Sequence, residues 1–171
     1  MTGLDRSPSA GPIVRVLALP GHLLARLGEG PRDLARLGLR LALAVPFFFS
    51  GLTKWEGFGR LSDGAVFLFA EEFRLHLFGA EIAYPWPAAT AALAGTAEIV
   101  LPILLVLGLA TRWAALGLLA MTAIIQLTVP DGWANFHLPW AAMALAVLAF
   151  GPGRASLDRL VGIDGVAPVR R

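Results

Sequence analysis

An all-α integral membrane fold, a bundle of four transmembrane helices, is predicted by three features of this 171-residue chain. Apolar residues make up 57% of it and charged residues only 15%, against about 25% charge in an ordinary soluble domain. Between Leu41 and Phe150 the eleven charged residues fall in short clusters. The apolar stretches between them approach the roughly 20 residues that a helix needs to cross the hydrocarbon of a bilayer. Pro and Gly mark the ends of those stretches. The chain contains no Cys, which excludes disulfides, thiol redox chemistry, Fe–S ligation and Cys-based zinc sites. The net charge is only +2, so no basic face for nucleic acid is expected.

The spans are taken in order. Residues 1 to 33 hold Pro8, Pro12, Pro20 and Pro31 with scattered Gly and Arg, which reads as a loose or membrane-surface arm with a short helix around His22 to Arg26. A cleaved leader fits poorly, because Arg15 breaks the first apolar run and no small-residue cleavage site follows Phe47-Phe48-Phe49. The transmembrane domain is expected over residues 34 to 153. Its first span runs from Leu34 to about Trp55. The second runs from Ala88 to Leu109, opened by Pro85 and Pro87. The third, Arg112 to Val129, is closed by Pro130. The fourth, Trp133 to Phe150, is closed by Gly151-Pro152-Gly153, with Pro139 able to delay its start. Residues 154 to 171 form a tail.

Lys and Arg divide eleven to three between the two ends of these spans. The excess lies with both termini, which are therefore expected on the cytoplasmic side of a bacterial inner membrane. Trp55, Tyr84, Trp86 and Trp133 sit at the outer ends and Trp113 at an inner end, as interfacial rings do. The long outer loop, Glu56 to Tyr84, contains AVFLFAEEFRLHLFG. Val66, Phe69, Phe73 and Leu77 suit a helix face, whereas Phe73 to Leu77 alternates like a strand. An interfacial helix capped by Ser62 or Asp63 is the expectation, because a lone strand there has no partner for its backbone. Such a helix would act as a lid.

Counting along each helix at about 1.5 Å per residue places Lys54, Glu98 and Gln126 each about 21 Å from the inner boundary marked by Arg40 and Arg112. His137, counted from Arg154, lies at about 26 Å. Glu98 is the most informative of these, since a lone carboxylate in a span is costly unless it is paired, protonated or turned inward. Lys54 is its natural partner. Ser50, Gly51 and Lys54 share one side of the first helix, and Ala91, Ala94, Gly95, Glu98 and Pro102 one side of the second. Thr122 lies a turn from Gln126. Small residues there let helices approach.

On the functional reading, Glu98 and His137 are the catalytic pair, exchanging protons with a bound molecule. Lys54, Gln126, Thr122 and Ser50 bind and orient that molecule in a site open to the periplasm. The alternative is structural: Lys54 snorkels outward, Glu98 is protonated or bonded to Thr122 or Gln126, and the layer fixes helix register. His22, His76 and His137 cannot supply paired axial ligands to a haem, because topology separates them. His76, His137, Glu71, Glu72 and Asp131 could meet at the outer surface, but no tight metal-ligand spacing is present, and no metal is expected. No dinucleotide fingerprint, Walker sequence, nucleophile elbow or zinc-protease helix occurs.

Several stretches in order resemble the DoxX family of small membrane proteins. They are Arg40 followed by Phe49-Ser50-Gly51-Leu52-Thr53-Lys54, then Glu98 ahead of Leu104-Leu105-Val106-Leu107-Gly108-Leu109-Ala110-Thr111-Arg112, and the tail Gly151-Pro152-Gly153-Arg154-Ala155-Ser156-Leu157-Asp158. The resemblance implies a four-helix membrane bundle. It also implies a link to membrane oxidoreductases, since the family takes its name from a subunit associated with thiosulfate:quinone oxidoreductase. The family's recurrent polar positions, carried over, are Arg40, Lys54, Glu98 and Arg112. The reading that follows is a subunit of an oxidoreductase system, with no covalently bound cofactor, that binds a quinone or similar molecule. A permease using the same layer is one alternative. A membrane anchor for soluble partners is another, in which Arg40, Arg112, Arg154 and Asp158 are structural or partner-binding. The bilayer and either a partner subunit or a second copy of the chain are the expected associates.

Overall fold

The computed structural model describes Pro20, Gly21 and residues 27 to 163; the short helix expected around His22 to Arg26 lies outside the described residues. Four helices are long and apolar enough to cross a membrane, as the sequence predicts. Helix α1 spans Gly30–Leu52 and begins four residues earlier than the hydropathy suggests. Pro31 fits a first turn that needs no N–H donor, and Asp33 complements the helix dipole. At its other end the turn tightens to i−3 bonds, from Thr53 N to Ser50 O, Lys54 N to Gly51 O and Trp55 N to Leu52 O. Lys54 therefore sits just past α1, on a tightened turn.

The loop is where the expectation needs correction. Helix α2, Asp63–Phe67, is capped by Ser62, whose side chain accepts from Ala65 N at 3.2 Å. It runs on as a π-turn over Leu68–Glu72. There the helix stops. Strand β1, Arg74–Leu77, pairs antiparallel with β2, Ala80–Ala83, Arg74 facing Ala83 and Leu77 facing Ala80. The partner that a strand seemed to lack is supplied three residues on, through a two-residue turn in which Phe78 (φ 50°) and Gly79 (φ 84°) are both left-handed. Nothing in Ala80-Glu81-Ile82-Ala83 alternates, and all four residues are exposed, so the second strand carries no hydrophobic signature.

Helix α3 covers Pro87–Leu107, α4 covers Thr111–Thr128 and α5 covers Leu138–Phe150. A 3₁₀ turn, Pro130–Gly132, and a π-turn, Trp133–His137, lead into α5. Pro139 falls in the first turn of α5, where its missing donor costs nothing. The helices form a ring in chain order: α1 packs on α3 and α5, and α4 packs on the same two. Leu43, Ala44, Phe47, Leu105, Ala115, Leu118 and Val147 fill its centre. A smaller cluster of Ala65, Phe69 and Ala91, joined by Phe73 and Tyr84, fastens the loop to α3. Large apolar side chains such as Leu41, Val45, Phe49, Leu116 and Leu145 face outward, as suits contact with lipid.

The end of the bundle opposite the loop is closed by two buried charges. Helix α3 ends on Gly108 (φ 68°), with Leu109 N bonded to Leu104 O and Gly108 N to Leu105 O. The carbonyls of Leu105 and Val106 accept from Arg40 at 2.7 and 2.5 Å, and the same guanidinium donates to Pro152 O and Ala155 O at 2.9 and 2.7 Å. Asp158, in the short helix α6 (Leu157–Leu160), accepts from Ala110 N and Thr111 N at 2.6 and 2.8 Å. It thereby caps the start of α4, where negative charge is favoured. The backbone N–H of Asp158 donates to Gly108 O. A Cβ on Gly108 would lie 2.6 Å from both Arg40 Nη2 and Ser156 Cβ, so only glycine fits this crossing.

Arg40→Met removes four hydrogen bonds to carbonyls, of which Leu105 O alone keeps a bond described above, from Gly108 N; since hydrogen bonds to charged groups contribute about 1.5–3 kcal/mol each, the expected loss is at least about 3 kcal/mol. The exposed Arg112→Met is expected to stay within about 0.5 kcal/mol of the parent. Thermal unfolding in detergent distinguishes the two; equal midpoints would contradict the assignment.

Candidate functional site

Lys54 Nζ donates to Glu98 Oε2 at 2.5 Å, with side-chain exposures of 13% and 6%. The pair bridges the end of α1 and the middle of α3, and two glycines permit the approach. A Cβ on Gly51 would stand 2.9 Å from Glu98 Cβ, and one on Gly95 would stand 3.0 Å from Lys54 Cβ and 2.9 Å from Trp55 Nε1. Ala91, Gly95, Glu98, Pro102 and Leu105 form the buried side of α3, the face expected from spacing. Lys54 also lies 3.3 Å from Ser50 Oγ. Trp55 is half-buried, its indole nitrogen enclosed without a hydrogen-bond partner among the described residues, whereas Trp86, Trp113 and Trp133 are exposed.

The other two members of the polar layer form a pair of their own. Gln126 Nε2 donates to Pro130 O at 3.1 Å, and its Oε1 lies 2.6 Å from His137 Nδ1. Because a carbonyl can only accept, the amide orientation is fixed and His137 Nδ1 carries the hydrogen. Thr122 is buried and donates to Leu118 O within its own helix. Glu98 is thus bonded to neither Thr122 nor Gln126. The level that the residue counts give as common resolves into two separate couples.

A cavity of about 440 Å³ lies against the first couple. Lys54, Glu98 and Ser50 face it at one side, Phe69, Phe73 and Tyr84 of the loop cover it, and Thr90, Leu93 and Ala97 of α3 and Met121, Ile124 and Thr128 of α4 form its walls. Leu93 and Ile124 are exposed, so its rim reaches the lipid-facing surface between α3 and α4. His137, Gln126 and Thr122 are outside this lining. His137 instead packs behind Trp140, ring centroids 5.5 Å apart, and Trp140 is the residue that faces the cavity. The lid is held to α4 by Tyr84 Oη and Thr128 Oγ1 at 2.6 Å and by His76 Nδ1 donating to Leu127 O at 3.1 Å. Phe69, Phe73, Tyr84, Thr128 and Trp140 had no sequence motif to single them out as cavity residues.

At the closed end, Arg40 and Asp158 are buried structural groups, which removes them from contact with a soluble partner. Arg112 is exposed. Arg154 is exposed too, its backbone N–H bonded to Asp33 Oδ1 and its guanidinium 3.8 Å from Asp33 Oδ2. This tie places the start of α1 and the segment after α5 at one end of the bundle. Among the described residues no three His, Asp or Glu side chains gather in a metal-holding group.

The DoxX family model matches residues 35–131, more than half of the chain. The protein belongs to the DoxX family. A relative from Haemophilus influenzae, itself an uncharacterised protein, is 30% identical over 134 residues, covering 72% of this chain and 80% of that one. No solved structure matches the chain. In this DoxX protein the family match takes in Arg40, Lys54, Glu98 and Arg112, together with the whole loop.

The close α1–α3 crossing is testable. Gly51→Ala and Gly95→Ala force contacts under 3.0 Å or at that limit and are expected to cost about 1–3 kcal/mol, as overpacking does. Gly38→Ala, on the same helix α1 with nothing within 4 Å of the added carbon, is expected to be neutral or to stabilise by about 0.4–1 kcal/mol. Unfolding midpoints of the three variants provide the comparison.

Proposed function

We propose that this DoxX protein is a multi-pass inner-membrane component of an oxidoreductase system that holds a quinone, or a small redox-active molecule of similar shape, in the cavity beside Lys54 and Glu98. The observation that carries the reading is a buried ion pair forming one wall of a cavity whose other walls are mostly apolar. Ligand sites are of this kind: largely hydrophobic, with few polar groups to fix orientation. Benzoquinone chemistry suits the residues present, since a flat ring fits among Phe69, Phe73, Tyr84 and Trp140 and its oxygens need a donor when oxidised and an acceptor when reduced. Lys54 supplies N–H groups and Glu98 supplies carboxylate oxygens, one of which, Oε1, accepts no hydrogen bond among the described residues. A rim reaching lipid suits a molecule that travels in the bilayer.

In this arrangement Lys54 orients a ligand oxygen and remains paired with the Glu98 carboxylate in a poorly solvated place. Glu98 accepts a proton from a ligand hydroxyl or returns it. A bound quinone would supply the two-electron couple that the chain itself lacks. Gln126 and His137 stand behind the cavity, where they fix Trp140, and the Tyr84–Thr128 bond holds the lid in register. The lopsided distribution of Lys and Arg supports cytoplasmic termini, with the lid and the site on the periplasmic side. The permease reading has less support, because Arg40 and Asp158 close the end away from the loop. Exposed Arg112 remains available to a partner subunit.

The test is saturable quenching of tryptophan fluorescence by a short-chain benzoquinone in lipid nanodiscs. Trp140→Phe is expected to remove most of the saturable component. Glu98→Gln and Lys54→Met are each expected to weaken binding about tenfold, or about 1.4 kcal/mol, with folding checked by thermal unfolding. Absence of saturable quenching in the parent protein, or unchanged affinity in both variants, would exclude the quinone reading.

A further inference from the structure

Lys54 borders a second cavity, of about 530 Å³, between the last turn of α1 and the loop helix α2. Ser50, Thr53, Ser62 and Gly64 line one side of it with Lys54, apolar side chains of α2 and the π-turn such as Phe67 and Leu68 line the other, and no acidic residue does. Its chemistry differs from that of the lipid-side cavity. Ser62 accepts the capping bond from Ala65 N and so keeps its O–H to donate inward. Thr53 donates to Ser50 O at 2.7 Å. The Lys54 ammonium has three N–H groups: one goes to Glu98, and Ser50 Oγ and Ser50 O lie within reach of the others at 3.3 and 3.5 Å. Several hydroxyls converging with an ammonium in a space of this size meet the conditions for holding water, which needs room and two to four polar partners. The two cavities share Ser50, Lys54, Phe69 and Phe73, so the ammonium stands at the divide between them.

We propose that the cavity between α1 and α2 is an aqueous vestibule, a site for water and hydronium through which the Lys54–Glu98 pair exchanges protons with the solution at the loop end. The vestibule rests on the quinone reading only for the identity of the molecule on the other side. The proton balance is complete without a further reactant. A ligand hydroxyl gives its proton to the Glu98 carboxylate and becomes an oxyanion, and Lys54 gives one ammonium proton, by way of Ser50 Oγ, to vestibule water. Glu98 then returns its proton to the Lys54 amine. The pair is restored, and the net change is transfer of one proton from the ligand hydroxyl to water.

Lys54 is the only lysine in the chain, so amine acetylation reports on this divide alone, with the terminal amine as reference. The full chain in nanodiscs is treated, without any quinone, with a water-soluble sulfonated succinimidyl acetate, and residue 54 is followed by mass spectrometry. Lys54 is expected to be acetylated. Gly64→Leu, where an added Cβ meets nothing nearer than Ser62 Oγ at 3.4 Å, extends into the vestibule and is expected to slow the reaction about tenfold. Leu93→Trp, at the lipid-side rim, is expected to leave it within about twofold, a small change on the scale of tenfold per 1.4 kcal/mol. If only a lipid-soluble acetylating reagent modifies Lys54, or if Gly64→Leu leaves the rate unchanged, the vestibule is overturned. Labelling without quinone quenching would retain the vestibule and remove the quinone; quenching without labelling would do the reverse.

Discussion

The structure depends on the expense of leaving a charge or a backbone carbonyl unpartnered where water is scarce. The chain meets that constraint at both ends of its bundle, by different means. At the loop end, one ammonium and one carboxylate neutralise each other across α1 and α3, with glycines at 51 and 95 allowing the backbones close enough for a 2.5 Å contact. At the other end, a single guanidinium takes four carbonyl oxygens from three places in the chain. The first arrangement leaves one carboxylate oxygen facing a cavity. The second leaves Arg40 almost no exposed surface.

That difference separates the two groups functionally. Arg40 has four of its five N–H groups directed at main-chain acceptors, two of them at the end of α3. Lys54 and Glu98 have capacity in reserve, and the lid above them is a mixture of short, dissimilar pieces, including a helix of five residues, a π-turn and a two-stranded hairpin. Few buried contacts hold such pieces compared with those inside the four-helix ring, and segments of that kind open at lower free energy than the core.

Much of this was legible in the sequence because the bilayer imposes long periods that are easily read. Apolar stretches of sufficient length, ended by Pro85-Trp86-Pro87, Pro130 and Gly151-Pro152-Gly153, gave the four spans, and equal residue counts from Arg40 and Arg112 placed Lys54 level with Glu98. The count could not say which residues at one level touch. Height along a helix is set by rise alone, but contact also needs the rotation of each helix, and that is why Gln126 and His137 form a couple apart from the other. The hairpin escaped for a different reason: β2 is exposed throughout and carries no alternation, so its evidence lies in a two-residue left-handed turn at Phe78-Gly79. The cavity lining was invisible too, since Phe69, Tyr84 and Trp140 look like any other aromatic residues until three separate segments fold together.

The knot made by Arg40, Gly108 and Asp158 has a mechanical meaning for the molecule as a whole. With one extremity pinned, any splaying of the four helices is widest at the far tips and least near the hub. Both cavities lie toward those tips, beside Lys54, so a widening of either mouth leaves the hub undisturbed.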